Sequence, residues 1–213
     1  MKGLILKDLY LIKAFAKQYV IVLAFMTIWA IAMKAMSFLG IYFILMGAMI
    51  LLSVMSLDDA VSFNRFALTM PISERTLIQS KYLIFILTVS AGGAIALIIS
   101  GIVSFLSVEM NLEFGWQEIM PSLTLFVVAT SIAFPVIWVK GAEKGRYAYM
   151  AAILGLGGIV YVAVKACLKY NISLDALETL PNALFVGVFA CICMIALLIS
   201  YFVSVFLVRK KEW

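Results

Sequence analysis

Long apolar stretches, of about twenty residues or more, alternate with short polar segments along this chain. An α-helix rises about 1.5 Å per residue, so about 20 apolar residues cross the roughly 30 Å of hydrocarbon in a bilayer. A barrel strand needs only about 10 residues, which is much less than these stretches provide. The pattern predicts six transmembrane helices, at Tyr19–Met33, Ser37–Leu57, Tyr82–Ser107, Pro121–Val139, Ala148–Val164 and Asn182–Val208.

The composition supports a membrane protein. Of 213 residues, 66% are hydrophobic and 13% are charged. A soluble domain of this size has too little interior to bury that much apolar surface, so most of it must face lipid or neighbouring helices. We therefore predict an all-α membrane protein in which residues 1–213 form a single transmembrane domain.

The distribution of basic residues predicts the orientation. With six spans both termini lie on one side, and that side then holds 13 of the 16 Lys and Arg residues. Because Lys and Arg are concentrated in cytoplasmic loops, both termini are expected in the cytoplasm. The net charge of +5 is explained by this topology and does not indicate a nucleic-acid partner.

The segment before the first span has its own pattern. On a helical projection of residues 2–18 most lysines and Tyr10 fall on one arc, and most of the leucine, isoleucine and phenylalanine residues lie outside it. This is typical of an amphipathic helix in the headgroup layer, although ordinary positive charge ahead of a first span also explains the lysines. The expected polar residues of this interfacial helix are Lys7, Asp8, Lys13 and Lys17.

Residues 58–81 form the longest predicted cytoplasmic loop. Asp58 and Asp59 follow an apolar span, Pro71 is expected to end one short helix, and Ser73 is expected to cap another that begins at Glu74. The loop also carries apolar side chains where water is expected, at Phe63, Phe66, Leu68 and Met70. Such residues indicate either a protein-docking surface or a loop that packs against the bilayer. Composition does not distinguish these two.

The sequence lacks the residues that proton-coupled transport, metal- or histidine-based catalysis and ATP binding usually need. The sequence has no histidine, and no Asp or Glu lies deep in a predicted span. These features disfavour a proton-coupled carrier and a metal-dependent or histidine-based membrane enzyme. The ATP-binding motif G-x-x-x-x-G-K-[ST] is also missing, so we predict no catalytic site, no metal site and no cofactor in this chain.

Two segments carry a family resemblance. Residues 1–13 contain Lys7-Asp8-Leu9-Tyr10-Leu11, and the 59–82 segment contains Met70-Pro71-Ile72-Ser73-Glu74-Arg75 followed by Ser80-Lys81-Tyr82. Together with the six-span pattern, they resemble the membrane subunit of bacterial ABC-2-type ABC exporters, and particularly the short permeases of Gram-positive bacteria. This sequence departs from the usual motif at Glu74, which stands between Ser73 and the basic residue.

The resemblance implies partners and a location. Such a permease lies in the bacterial plasma membrane, pairs with a second copy of itself, and binds two copies of a separate cytoplasmic ATPase that holds ATP and Mg²⁺. The short permeases often export hydrophobic or amphipathic substrates, such as membrane-active peptides. A peptide-immunity protein or a scaffold that acts without an ATPase is the alternative. Small residues near Gly155 suit either the contact between two copies or packing within one chain.

The resemblance also implies a coupling helix, which we expect at Phe63–Ser73. Phe66 and Leu68 are its expected apolar contacts to the ATPase, with charged residues around them. The full set of expected coupling residues is Asp58, Asp59, Phe63, Asn64, Arg65, Phe66, Leu68, Pro71, Ser73, Glu74, Arg75 and Lys81.

Overall fold

The computed structural model describes residues 2–32, 37–70, 73–106, 116–169 and 182–210, and within them the chain is helical without strands. Six helices are long and one is short. They are α1 (Lys2–Ala32), α2 (Ser37–Ala60), α3 (Phe63–Thr69), α4 (Glu74–Leu106), α5 (Trp116–Lys140), α6 (Ala142–Lys169) and α7 (Asn182–Arg209).

Five of these helices are long and apolar enough to cross a membrane within the described residues. Their candidate spans are Gly3–Ala30, Glu74–Ile95, Met120–Lys140, Ala142–Ala166 and Leu184–Arg209. The expected second span lies within α2, which is helical over 24 residues. The protein is therefore a multi-pass α-helical membrane protein. The described parts of all six expected spans lie in long helices.

The N-terminal segment differs from expectation. We expected an interfacial helix over residues 1–18 followed by a separate span, but α1 is one continuous helix of 31 residues. Between Leu4 and Ala32 it contains neither glycine nor proline, so nothing in the sequence interrupts its backbone hydrogen bonds. Leu4 and Asp8 are buried against the protein, whereas Lys13 and Lys17 are exposed. A headgroup location for the exposed residues stays a prediction.

The centre of the bundle is formed by α2, α4, α5 and α7. Within this centre α5 packs against α7, and α2 packs against α4 and α5. On the outside, α6 packs against α5, and α1 contacts α2 and α4. Gly47 allows α2 to approach α4 closely, since a Cβ atom there would lie 3.0 Å from the Thr88 carbonyl oxygen. The outer surfaces of α1 and α6 are largely apolar and exposed, as expected for helices that face lipid.

Pro135 lies inside α5 and removes one backbone donor. The missing N–H would have reached the carbonyl of Ser131, four residues earlier. In the structure the Ser200 hydroxyl of α7 donates to this carbonyl at 2.6 Å. A neighbouring helix thus supplies the hydrogen bond that α5 cannot form by itself.

Candidate functional site

Four charged side chains meet at the end of the bundle where α1 and α4 begin and α2 ends. Lys81 donates from its ammonium group to Asp8 at 2.8 and 2.9 Å and to Asp58 at 2.5 Å. Lys7 lies 2.6 Å from Asp58 and 3.1 Å from Asp8. We call Lys7, Asp8, Asp58 and Lys81 the charge cluster. Its two lysines balance its two aspartates.

The charge cluster is almost completely removed from solvent. Lys81 is 1% exposed, Asp8 and Asp58 are also buried, and only Lys7 retains partial exposure. Isolated charges at such a depth would be very costly, and only close pairing makes them tolerable. Each buried charge in the cluster therefore needs its oppositely charged partners in place. The charge cluster also connects α1, α2 and α4.

This cluster corrects the expectation for three residues. We expected Asp58 and Lys81 to face water at the two ends of a loop. Instead α2 continues to Ala60, the helix that begins at Glu74 runs unbroken to Leu106, and both side chains are buried. Asp8 was expected at the membrane surface and is completely buried. The physical reason is mutual neutralisation, because each carboxylate finds an ammonium group on another helix. The available signal was that Asp8, Asp58 and Lys81 all lie near the ends of predicted helices, but the sequence does not show which of them meet.

The segments that carried the resemblance thus contact each other. Lys7-Asp8 comes from the first segment and Asp58 with Lys81 from the second or its border. The next residue, Tyr82, points in another direction because successive helix residues are about 100° apart. Its hydroxyl lies 2.6 Å from the Ser200 hydroxyl and 3.0 Å from the Ser204 hydroxyl, both on α7. Ser80-Lys81-Tyr82 therefore joins α4 to α1 and α2 on one side and to α7 on the other.

The short helix α3 lies directly beside the charge cluster. The Lys7 ammonium group lies 3.6 Å from the centre of the Phe63 ring, an attractive cation–π contact. Only Val61 and Ser62 separate α3 from α2, and Ser62 adopts a left-handed conformation with φ of 53°. A non-glycine residue is held there at a cost of roughly 1 kcal/mol or more, so the surrounding contacts fix the direction in which α3 leaves α2.

The Asp59 carboxylate connects α3 with α6. It accepts a hydrogen bond from the backbone N–H of Ala142 at 2.5 Å and another from the Asn64 side chain at 3.3 Å. Ala142 is the first residue of α6, where backbone donors lack helical partners and a carboxylate is favourable. Gly141 separates α5 from α6 with φ of 89°, a conformation that favours glycine. Asp59 was expected on the rim of a docking surface and instead caps a helix within the chain.

The apolar residues of α3 divide between the interior and the surface. Phe63 is half-buried against the core, whereas Phe66 is 56% exposed. Met70, which directly follows the helix, is also exposed. The helix is shorter than the expected Phe63–Ser73, since it ends at Thr69. The side chains of Arg65 and Leu68, and the whole of Pro71, lie outside the described residues.

The start of α4 matches the predicted cap. Ser73 accepts a hydrogen bond from the backbone N–H of Thr76 at 3.3 Å, and the helix begins at Glu74 as expected. Arg75 was expected on the polar rim of the docking surface, and in the structure it lines a crevice between α4 and α7.

This arrangement is that of a multi-pass membrane protein whose helices are joined at one end by buried charges. Comparison with protein families identifies the class: a model described as ABC-2 family transporter protein matches residues 3–209, so the chain belongs to the ABC-2 transporter family. It is an ABC-2 type permease, a membrane component of a transporter that is not itself catalytic. Comparison with curated proteins finds no match, and comparison with solved structures finds none.

Proposed function

We propose that this chain is the permease subunit of an ATP-driven exporter and that α3 is the helix that docks on a separate ATPase. The observation that carries the proposal is the arrangement of α3 at the end of the bundle. Phe63 packs inward beneath Lys7, and Phe66 remains exposed on the same short helix. A soluble surface rarely exposes a phenylalanine next to other apolar residues unless a partner covers them.

The exposed patch suits a protein partner. Val61, Phe66 and Met70 are all exposed; Phe66 lies in α3, Met70 directly follows it, and Val61 lies two residues before its start. Binding energy in protein interfaces is concentrated in a few apolar anchors near the centre. Phe66 is the largest exposed side chain of this group, so we assign it as the principal contact to the ATPase.

Movement of α3 would reach the spans through the charge cluster. Lys7 contacts the Phe63 ring and both aspartates, and Lys81 joins those aspartates to α4. Buried ion pairs favour one geometry and resist partial separation. Asp58 and Lys81 are therefore positioning residues in this proposal, because their burial keeps them from contacting the ATPase directly.

The remaining features of the proposal concern orientation and assembly. The basic end of the bundle, with both termini and α3, would face the cytoplasm of a bacterial cell, as the distribution of Lys and Arg favours. Two copies of the chain would associate with two ATPase subunits, which would hold ATP and Mg²⁺. In this arrangement ATP-driven closure of the ATPases would rearrange the two permeases.

A hydrophobic or amphipathic substrate, such as a membrane-active peptide, is supported by a crevice among α2, α5, α6 and α7. It has a volume of about 610 Å³ and is mainly apolar. Among the described lining residues, Ser122 and Thr124 are the only ones with a hydroxyl-bearing side chain and none is charged. An apolar site of this kind favours substrates with a large nonpolar surface.

The test measures binding of candidate ABC ATPases from the same organism, normalised to the amount of folded permease. Phe66→Ala should lower the affinity by about thirtyfold, the loss expected for a principal interface contact. The matched control is Phe25→Ala, which removes a phenylalanine that is 64% exposed within the candidate span of α1. The control should bind the ATPase normally.

Three results would contradict the proposal. Undiminished ATPase binding by Phe66→Ala and by a Phe66/Leu68 double alanine variant would show that α3 is not the docking element. If the permease binds no ATPase at all, the alternative of an immunity or scaffold protein that acts without an ATPase is correct. A smaller folded fraction with unchanged affinity would assign Phe66 to packing against lipid or the spans.

A further inference from the structure

A second crevice lies at the basic end of the bundle, between the beginning of α4 and the end of α7. Its volume is about 450 Å³. One wall is aromatic and aliphatic, and two guanidinium groups complete the lining. The lining residues are Arg75 on α4 and Tyr201, Phe202, Val205, Phe206 and Arg209 on α7.

The pairing of α4 with α7 explains how the two arginines come to the same crevice. The Tyr82 hydroxyl contacts Ser200 and Ser204, and Gln79 donates to the Tyr201 hydroxyl at 3.0 Å. The two helices run antiparallel, because Arg75, seven residues before Tyr82, lines the same crevice as Arg209, five residues after Ser204.

The crevice places positive charge next to apolar side chains. Among the described residues, neither Arg75 nor Arg209 forms an ion pair. Lys210 adds a third cation, with its ammonium group 4.4 Å from the centre of the Phe206 ring. The nearby Glu74, at the start of α4, forms no ion pair with these cations.

We propose that this crevice binds one anionic phospholipid, with the phosphate between Arg75 and Arg209 and an acyl chain along Phe202, Val205 and Phe206. A guanidinium group presents paired N–H donors that match phosphate oxygens. Basic pockets between spans at the cytoplasmic face of a membrane suit anionic headgroups. The inference needs the membrane location of the chain, and it does not depend on ATPase docking.

The apolar wall decides between a lipid and a soluble phosphate. Phe202 and Phe206 are both exposed, and both belong to the candidate span Leu184–Arg209. The wall therefore continues from the arginines into the hydrocarbon region. A free anion would leave these rings unoccupied, whereas a lipid covers them and places its charge at the arginines.

The experiment uses the full chain in detergent, and native mass spectrometry measures the affinity of bound lipid. Dioleoyl phosphatidylglycerol should bind more tightly than dioleoyl phosphatidylcholine. The double variant Arg75→Gln/Arg209→Gln should lose about thirtyfold in affinity for phosphatidylglycerol, because two cations near the membrane surface are removed. The matched control Lys140→Gln/Lys144→Gln removes the same charge at the junction of α5 and α6 and should bind nearly as tightly as the unaltered protein.

Several outcomes would overturn the proposal. One is equal affinity for phosphatidylglycerol and phosphatidylcholine, and another is a loss in the lysine control as large as in the arginine double variant. A third is binding of glycerophosphoglycerol as tightly as phosphatidylglycerol. Glycerophosphoglycerol has the headgroup without acyl chains, so this result would indicate a free-phosphate site. If the double variant does not fold, Arg209→Gln alone replaces it and should lose about fivefold. Arg209→Gln should leave ATPase binding unchanged, whereas lost ATPase binding would assign the crevice to a protein and contradict the lipid site.

Discussion

Lys81 on α4 donates two hydrogen bonds to the carboxylate of Asp8 on α1, which lies 73 residues earlier in the chain. Both side chains are buried at the end of the bundle. Together with Lys7 and Asp58 they form a neutral set of charges beside α3. The set defines how three helices meet next to the proposed docking element.

Lys81→Met should destabilise the protein by about 3–5 kcal/mol, because two buried carboxylates would share only the remaining Lys7. Thermal unfolding in detergent measures the effect. Lys144→Met, at an exposed position near the same end, is the control and should change stability little. Adding Asp8→Asn to Lys81→Met restores neutrality and should recover part of the loss. If the double variant loses the sum of the two single effects, the residues do not act as one cluster.

Asp59→Ala should destabilise the junction between α5 and α6 by about 1 kcal/mol, since the Ala142 N–H would lose its acceptor. Asp59→Asn keeps an oxygen acceptor and should retain most of the stability. Unfolding midpoints of the two variants give the comparison. Equal losses would mean that the charge of Asp59, rather than its role as a helix cap, stabilises the protein.

Gly47→Ala should destabilise the packing of α2 against α4 by about 1–3 kcal/mol, because the added methyl group would press on the Thr88 backbone. Gly93→Ala is the matched control within α4, where a Cβ atom meets nothing within 4 Å. The control should be neutral or stabilise the helix by up to about 1 kcal/mol. Thermal unfolding should show a loss of stability for Gly47→Ala alone, and a loss of the same size in both variants would contradict the assigned contact.

Ser200→Ala should cost about 1–3 kcal/mol, because the Ser131 carbonyl next to Pro135 would remain without a donor. Pro135→Ala restores the backbone N–H in α5. The serine substitution should therefore cost less when Pro135→Ala is also present. A double-mutant cycle of unfolding free energies checks this, and additive effects would show that Ser200 does not compensate for the proline.

The candidate docking region was partly predictable. The apolar residues near Phe66 and the turn before Glu74 are local features, and the short helix at Phe63–Thr69 falls within the expected segment. The surroundings of that helix were not predictable. Asp58 and Asp59 follow a span and Lys81 precedes one, which is the usual pattern of polar residues at span ends, and only their contacts with α1 and α6 fix where they lie.

The sequence by itself determined the class of fold, the six long helices and the segments typical of an ABC-2 permease. The helices depend on the length of the apolar stretches, because unpaired backbone groups are so costly in a bilayer that such stretches must be helical. The family segments depend on local motifs. Only the tertiary structure decided that Lys7, Asp8, Asp58 and Lys81 share one buried site and that Arg75 faces α7 with Arg209. Those pairings join residues far apart in the chain, and their stability depends on distance and burial, which no local pattern specifies.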